Sequence, residues 1–271
     1  MRRPLRGRTR AGPEAGTRLA ETRPEAALAG AAGLASHHRV RSLPTTRLAR
    51  RTGSCSFRAC YKHAMEKPLA FRPHPWHGLA PGERCPEVVT AYIEIVPTDG
   101  VKYEIDKHSG YLRVDRPQRF SVVCPTLYGF VPQTYCGEAV AAHRIPGGPS
   151  VDRGDGDPLD ICVLTDRPVS RGEIVLEARP IGGLRMVEAG EADDKIIAVL
   201  LGDPTFGELV EVRQLSRAVV DRLRHYFLTY KTTPGETVTI SVDPVYDALE
   251  ARAVITAARE DYRRRFGAGV T

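Results

Sequence analysis

The chain has 271 residues, with 42% hydrophobic and 27% charged. That is room for one large domain or two small ones, in the composition of an ordinary globular protein. No stretch approaches the roughly 18 uninterrupted apolar residues of a membrane-spanning helix, so no membrane partner is expected. The net charge of +6 averages two unlike parts: residues 1–64 hold 14 basic and 3 acidic side chains, and the remainder holds 25 and 30. The mildly acidic remainder gives no reason to expect a nucleic-acid partner, whatever the overall pI.

Residues 1–64 are rich in Arg, Ala, Gly, Pro and Thr and show no sustained period of 2 or 3.6. Such a segment buries too little apolar surface to offset its ordering entropy. It is expected to be a disordered basic extension, a transit peptide, or sequence upstream of a true start at Met65. The folded domain is expected over 65–271. The six cysteines, at 55, 60, 85, 124, 136 and 162, form no CxxC pair and no zinc-ligand spacing. They read as reduced thiols of a cytoplasmic protein.

From Ala91 to Val96 apolar and polar residues alternate with β-rich composition, and Pro97-Thr98-Asp99-Gly100 ends the run. Val101–Asp106 reads as a second strand, Lys107-His108-Ser109-Gly110 as a turn, and Tyr111–Val114 as a third strand, giving a meander. Gly137–Gly154 reads as a long surface loop. Pro158–Leu164, Glu173–Pro180 and Lys195–Leu201 read as further strands. Ser216 is placed to cap a helix whose stripe is Val219, Val220, Leu223, Phe227 and Tyr230. A second helix is expected over Val245–Phe266, with Ala251, Ile255, Ala258, Tyr262 and Phe266 on one face and three arginines suiting its C-terminal dipole. Strands first and helices late indicate an α+β protein with a barrel or compact sheet.

The sharpest chemical feature is Asp155-Gly156-Asp157-Pro158-Leu159-Asp160, three carboxylates within six residues. Crowding them costs free energy unless a cation neutralises them or they diverge into water. Oxygen donors of this kind select hard divalent ions. An EF-hand fits poorly, since Asp160 stands where that loop requires glycine. A solvated acidic turn is the commoner meaning of such a run, but the apolar Ile161–Leu164 that follows sets this one at the mouth of a buried strand. Glu188, Glu191, Asp193 and Asp194, then Lys195 and another apolar run, repeat the arrangement. Lys102 and Glu104 share a strand face, Glu94 lies on the preceding strand, Arg116 follows the third, Tyr128 sits in an LYGF run and Tyr230-Lys231 end a helix. Taken singly, each reads as ordinary structure. Together they offer fixed cations and phenolic donors beside carboxylates, which suits a site that takes both metal ions and phosphates.

These stretches resemble the soluble family I inorganic pyrophosphatases. The carrying motifs are YIEIVPTDGVKYEID at 92–106, VDR at 114–116, LYGF at 127–130, DGDPLD at 155–160, EADDKIIAVLLGD at 191–203 and HYFLTYK at 225–231, in the family's order. The likeness covers about residues 74–266. The HPWHG run at 74–78 and the insert before Asp155 resemble a bacterial subgroup. The resemblance implies a distorted five-stranded OB-like barrel with flanking helices, hydrolysis of pyrophosphate to two phosphates, several Mg²⁺ ions per site, and a homo-oligomer, dimer or hexamer. It implies Asp155, Asp160 and Asp193 as metal ligands, with Glu188 where the family commonly has aspartate. It implies Asp157 as acceptor of the attacking water's proton. It implies Lys102, Arg116, Tyr128, Lys195, Tyr230 and Lys231 as the phosphate-binding set, with Glu94 and Glu104 as supporting acids. Cys124 replaces a tyrosine often found four residues before Tyr128. Rival readings are an OB-type single-strand binder, which calls for more aromatics and fewer acids, and a metal-dependent hydrolase of nucleotide phosphates.

Overall fold

The computed structural model describes residues 71–232, 235 and 239–267. The extension expected over 1–64 and the domain start at residue 65 lie outside the described residues. In chain order these form β1 (Val89–Ile95), β2 (Val101–Ile105), β3 (Leu112–Pro117), β4 (Leu127–Phe130), α1 (Glu138–Ala142), β5 (Arg153–Gly154), β6 (Asp160–Leu164), β7 (Ile174–Glu188), β8 (Glu191–Ala192), β9 (Lys195–Leu200), a 3₁₀ turn (Val212–Gln214), α2 (Arg217–Thr229), β10 (Ile240–Asp247) and α3 (Ala248–Phe266).

Five strands close on themselves. Strand β1 pairs with β4, β4 with β6, β6 with β9, β9 with β7, and β7 returns to β1. Closure pairs both edges of each of these strands and removes the open edge that favours aggregation. The α+β, OB-like expectation is met by this ring.

Both faces of the ring are covered. Period-2 alternation sends Ile161, Val163, Ile196 and Ala198 to a core shared with Ala251, Val254, Ile255 and Ala258 of α3. It sends Cys162, Leu164, Ile197 and Val199 to a second core shared with Leu223, Phe227 and Tyr230, on and just past α2. That is why β6 and β9 read as continuous apolar runs.

The meander is not formed. The two edges of β1 are taken by β4 and β7, so β2 and β3 stand apart as a two-stranded hairpin. Its turn is built as expected: Asp106 Oδ1 accepts from Ser109 N and Oγ at 2.8 and 2.7 Å, and Gly110 takes φ +72°. Strand β7 runs eight residues beyond Pro180, because β9 and then β10 continue to pair with it.

The second long helix begins at Ala248 rather than Val245. Val245, Tyr246 and Asp247 pair with Leu184, Gly183 and Gly182 of β7, and Asp247 caps the helix by accepting from Glu250 N at 3.0 Å. Tertiary pairing outweighs helical periodicity there, and the tyrosine ring fills the space a Gly183 side chain would need. Of the residues expected on one face of this helix, Phe266 is 44% exposed. Ser216 holds the N-cap position of α2 without a capping hydrogen bond from its side chain. The supposed loop from 137 to 154 contains α1, with Val140 and Ala141 buried. The helix is short, and its N–H groups find their acceptor at a distance: Asp261 of α3 accepts from Gly137, Ala139 and Val140.

Candidate active site

The ring supplies acids and the hairpin supplies most of the cations. A cleft of about 380 Å³ opens between them, lined by Glu94, Lys102, Glu104, Lys107, Tyr128, Asp155, Asp157, Asp160, Glu188, Glu191, Asp193, Lys195, Tyr230 and Lys231, among others. Arg116 stands beside it: its guanidinium lies 5.7 Å from the Tyr230 ring centre and donates to Asp115 at 2.5 Å. Every site residue proposed from the sequence therefore lies in the cleft or at its edge, although they come from widely separated stretches.

Ring geometry explains the acid cluster. Strands β6 and β9 are parallel and in register, Asp160 opposite Lys195, so the segments entering them deliver their acids to one place. Lys195 is 1% exposed and bonds both Asp160 and Asp193. Tyr128 of β4 donates to Asp160 at 2.5 Å. Lys231, just past α2, donates to Glu188 at 2.5 Å. On the hairpin, Lys102 lies 3.6 Å from Glu104 and 3.4 Å from Asp115. Glu94 is buried on β1 and accepts from Ile105 N at 2.7 Å, which ties the hairpin to the ring. Gly129 lets β4 lie against β1, since a side chain there would meet the Tyr92 carbonyl at 1.9 Å.

The electrostatics show more acid than cation. Burial, then the neighbouring Asp193, pushes the Asp155 carboxyl up to about 9. Burial pushes Glu94 up to about 8, against the hydrogen bond from Ile105 N. Burial also raises Asp160. For Asp193 burial acts upward, but the Lys195 ammonium, Asp155 and Lys231 together outweigh it and hold the carboxyl below its usual range. Burial would lower Lys195, yet Asp160 and Asp193 carry it well above the usual lysine value.

Among the described residues no three acid, histidine or cysteine side chains stand as a ready coordination set. The Lys195 ammonium lies between Asp160 and Asp193 instead. The donor set still fits a hard divalent cation. It is all oxygen, and a carboxyl held at about 9 lacks the positive charge its surroundings would need to ionise it.

Two residues of this neighbourhood were not singled out in the sequence. Lys107 was read as a turn residue, but its ammonium reaches Asp157. Asp115 sits between Lys102 and Arg116 and pairs with both. Asp115 gave no clue in the sequence, because its pairing with Lys102 depends on the hairpin register that sets Lys102 opposite Arg116. Lys107 gave none, because its partner is 50 residues away. Cys124 is buried in the core it shares with Tyr226, Phe227 and Tyr230.

The family model described as inorganic pyrophosphatase matches residues 91–263. The chain belongs to the inorganic pyrophosphatase family. It is 47% identical over 209 residues to an inorganic pyrophosphatase of Chlamydia caviae, covering 74% of this chain and 96% of that protein. It is 37% identical to a soluble inorganic pyrophosphatase of Zea mays, covering 70% and 79%. The crystal structure of inorganic pyrophosphatase from Thermus thermophilus superposes with a TM-score of 0.60 at 27% identity, covering 71% of this chain and 99% of that one. A structure titled inorganic phosphatase from Anaplasma phagocytophilum gives 0.58 at 31% identity, covering 68% and 98%. The pyrophosphatase match takes in the ring from Ala91 onward, the hairpin and every cleft residue named above.

Proposed function

We infer that this chain hydrolyses inorganic pyrophosphate to two phosphates, using Mg²⁺ held in the carboxylate cleft. The observation that carries the reading is the convergence, in one pyrophosphatase-family cleft, of acids from four stretches with lysines, an arginine and phenols. Asp155, Asp160 and Asp193 would hold the ions, and Glu188 completes the donor set. When bound, Mg²⁺ neutralises phosphoryl oxygens and acidifies water, so that hydroxide forms near neutral pH.

The chain's own groups do the rest. Asp157 takes the proton of the attacking water. Lys102, Arg116, Tyr128, Lys195, Tyr230 and Lys231 bind the two phosphates and stabilise the charge that moves to the leaving group. Lys195 and Lys231 are at present held by carboxylates that the ions would take, which leaves their ammonium groups to the phosphate oxygens. Glu104 steadies Lys102, and Glu94 fixes the hairpin over the cleft. A cytoplasmic location and assembly into a homo-oligomer belong to the same reading and rest on the family resemblance. No helix among the described residues is long and apolar enough to cross a membrane.

The test is a phosphate-release panel with Mg²⁺. Pyrophosphate should turn over at least about 10²-fold faster than any nucleotide, a gap of roughly 2.7 kcal/mol in barrier. Equal or greater release from nucleoside triphosphates would favour the nucleotide hydrolase instead.

A further inference from the structure

The hairpin turn reaches the cleft through a residue that none of the proposed roles uses. Lys107 follows β2, lines the cleft, and its ammonium pairs with the Asp157 carboxylate. The backbone around Asp157 is already fixed: its N–H donates to Asp155 Oδ1 at 3.0 Å, and its carbonyl accepts from Cys136 N at 2.8 Å. The side chain is a different matter. It is 39% exposed, and among the described residues Lys107 is its ion-pair partner. An aspartate with a fixed backbone and a free χ1 samples several staggered directions. The lysine selects one of them.

The turn that carries Lys107 is itself held from behind. Asp106 closes it onto Ser109, and Gly110 N donates to Asp106 O at 2.7 Å. Gly110 packs so tightly on the HPWHG segment that a side chain there would fall 2.8 Å from both the His74 ring and Pro75. That segment is anchored by Trp76, which is buried and donates through Nε1 to Thr134 O at 2.7 Å. A continuous chain of contacts thus runs from the buried tryptophan, through the turn, to the Asp157 carboxylate.

We propose that Lys107 is a positioning residue for Asp157, holding the carboxylate toward the cleft in the direction from which it meets the attacking water. The inference rests on the reading of Asp157 as proton acceptor. An ion pair this exposed adds little to stability, so its effect belongs in the kinetics. Loss of orientation at a reacting group lowers turnover without weakening the remaining substrate contacts.

The experiment is a double-mutant cycle on the full chain with Mg-pyrophosphate, using Lys107→Met, Lys107→Arg, Asp157→Asn and Lys107→Met with Asp157→Asn. Lys107→Met should lower kcat about tenfold, with KM within threefold and the melting temperature within about 2 °C. Lys107→Arg, which keeps the charge and the reach, should recover most of the loss. In the Asp157→Asn background, Lys107→Met should change kcat by less than twofold. If the two losses multiply, or if KM rises while kcat stays put, Lys107 acts on substrate or on nothing, and the inference fails while the Asp157 reading survives. An unimpaired Asp157→Asn would end both.

Discussion

Asp155 and Asp157 are two residues apart and live in different environments. Asp155 faces the buried acids, and burial pushes it up to about 9. Asp157 lies at the mouth against a lysine. In the proposed mechanism Asp155 holds a cation and Asp157 exchanges a proton with water. Asp157→Asn should therefore lower kcat by about 10²–10⁴-fold, the usual worth of a general base, with little change in KM. Steady-state phosphate release reads this directly. Away from the cleft, Asp203 shows what full hydrogen bonding does to a carboxylate. Burial acts upward on it, but donors from Thr165, Phe206, Thr205 and Asp166 outweigh that and hold it at about 2. A folded value below the ordinary 3.8 means the native state binds fewer protons than the unfolded chain across that interval. The contribution is complete above about 3.8 and is lost as pH falls toward about 2. Asp203→Asn should flatten the acid limb of the stability curve in that window, measured by urea denaturation between pH 5 and 2.5. The acid run DGDPLD was legible residue by residue, because its type and spacing are local. Lys107 and Asp115 were not, since their importance lies in partners brought up by the hairpin.

At the scale of elements, alternation and turn chemistry located most strands. The failures share one cause. Val245–Asp247 continue a helical pattern in sequence, but β7 offers them strand partners. The stretch after Gly137 is rich in turn formers, yet α1 is held there by Asp261, on a helix more than 100 residues later, which accepts from the N–H groups of Ala139 and Val140 in α1 and of Gly137 just before it. Such a cap is invisible to local pattern. It is also a point of weakness. Asp261→Ala would leave buried N–H groups without an acceptor and should cost about 2–4 kcal/mol, from roughly 1–3 kcal/mol per unsatisfied buried group with partial rescue by water. Equilibrium denaturation measures it, and a loss below about 0.5 kcal/mol would contradict the role given to this contact.

At the scale of the molecule, the ring gathers what the chain scatters. Closing five strands brings the entry to β6, the entry to β9 and the far end of β7 to one rim, and the hairpin leans over that rim with its cations. The order of strands around the ring could not be read from the sequence alone, because each strand's alternation fixes a face and not a neighbour. The family likeness supplied the ring, and the geometry supplied the reason the acids meet. That meeting stands on one claim, that the carboxylate cleft works on pyrophosphate through divalent cations. The most direct measurement is phosphate release from pyrophosphate with Mg²⁺, then with excess chelator, then with Mg²⁺ restored. The account predicts rapid release, loss of at least about 10²-fold under chelation, in keeping with metal contributions of several kcal/mol, and recovery on restoring the ion. Release that continues undiminished in chelator, or no release with Mg²⁺ at all, would contradict it.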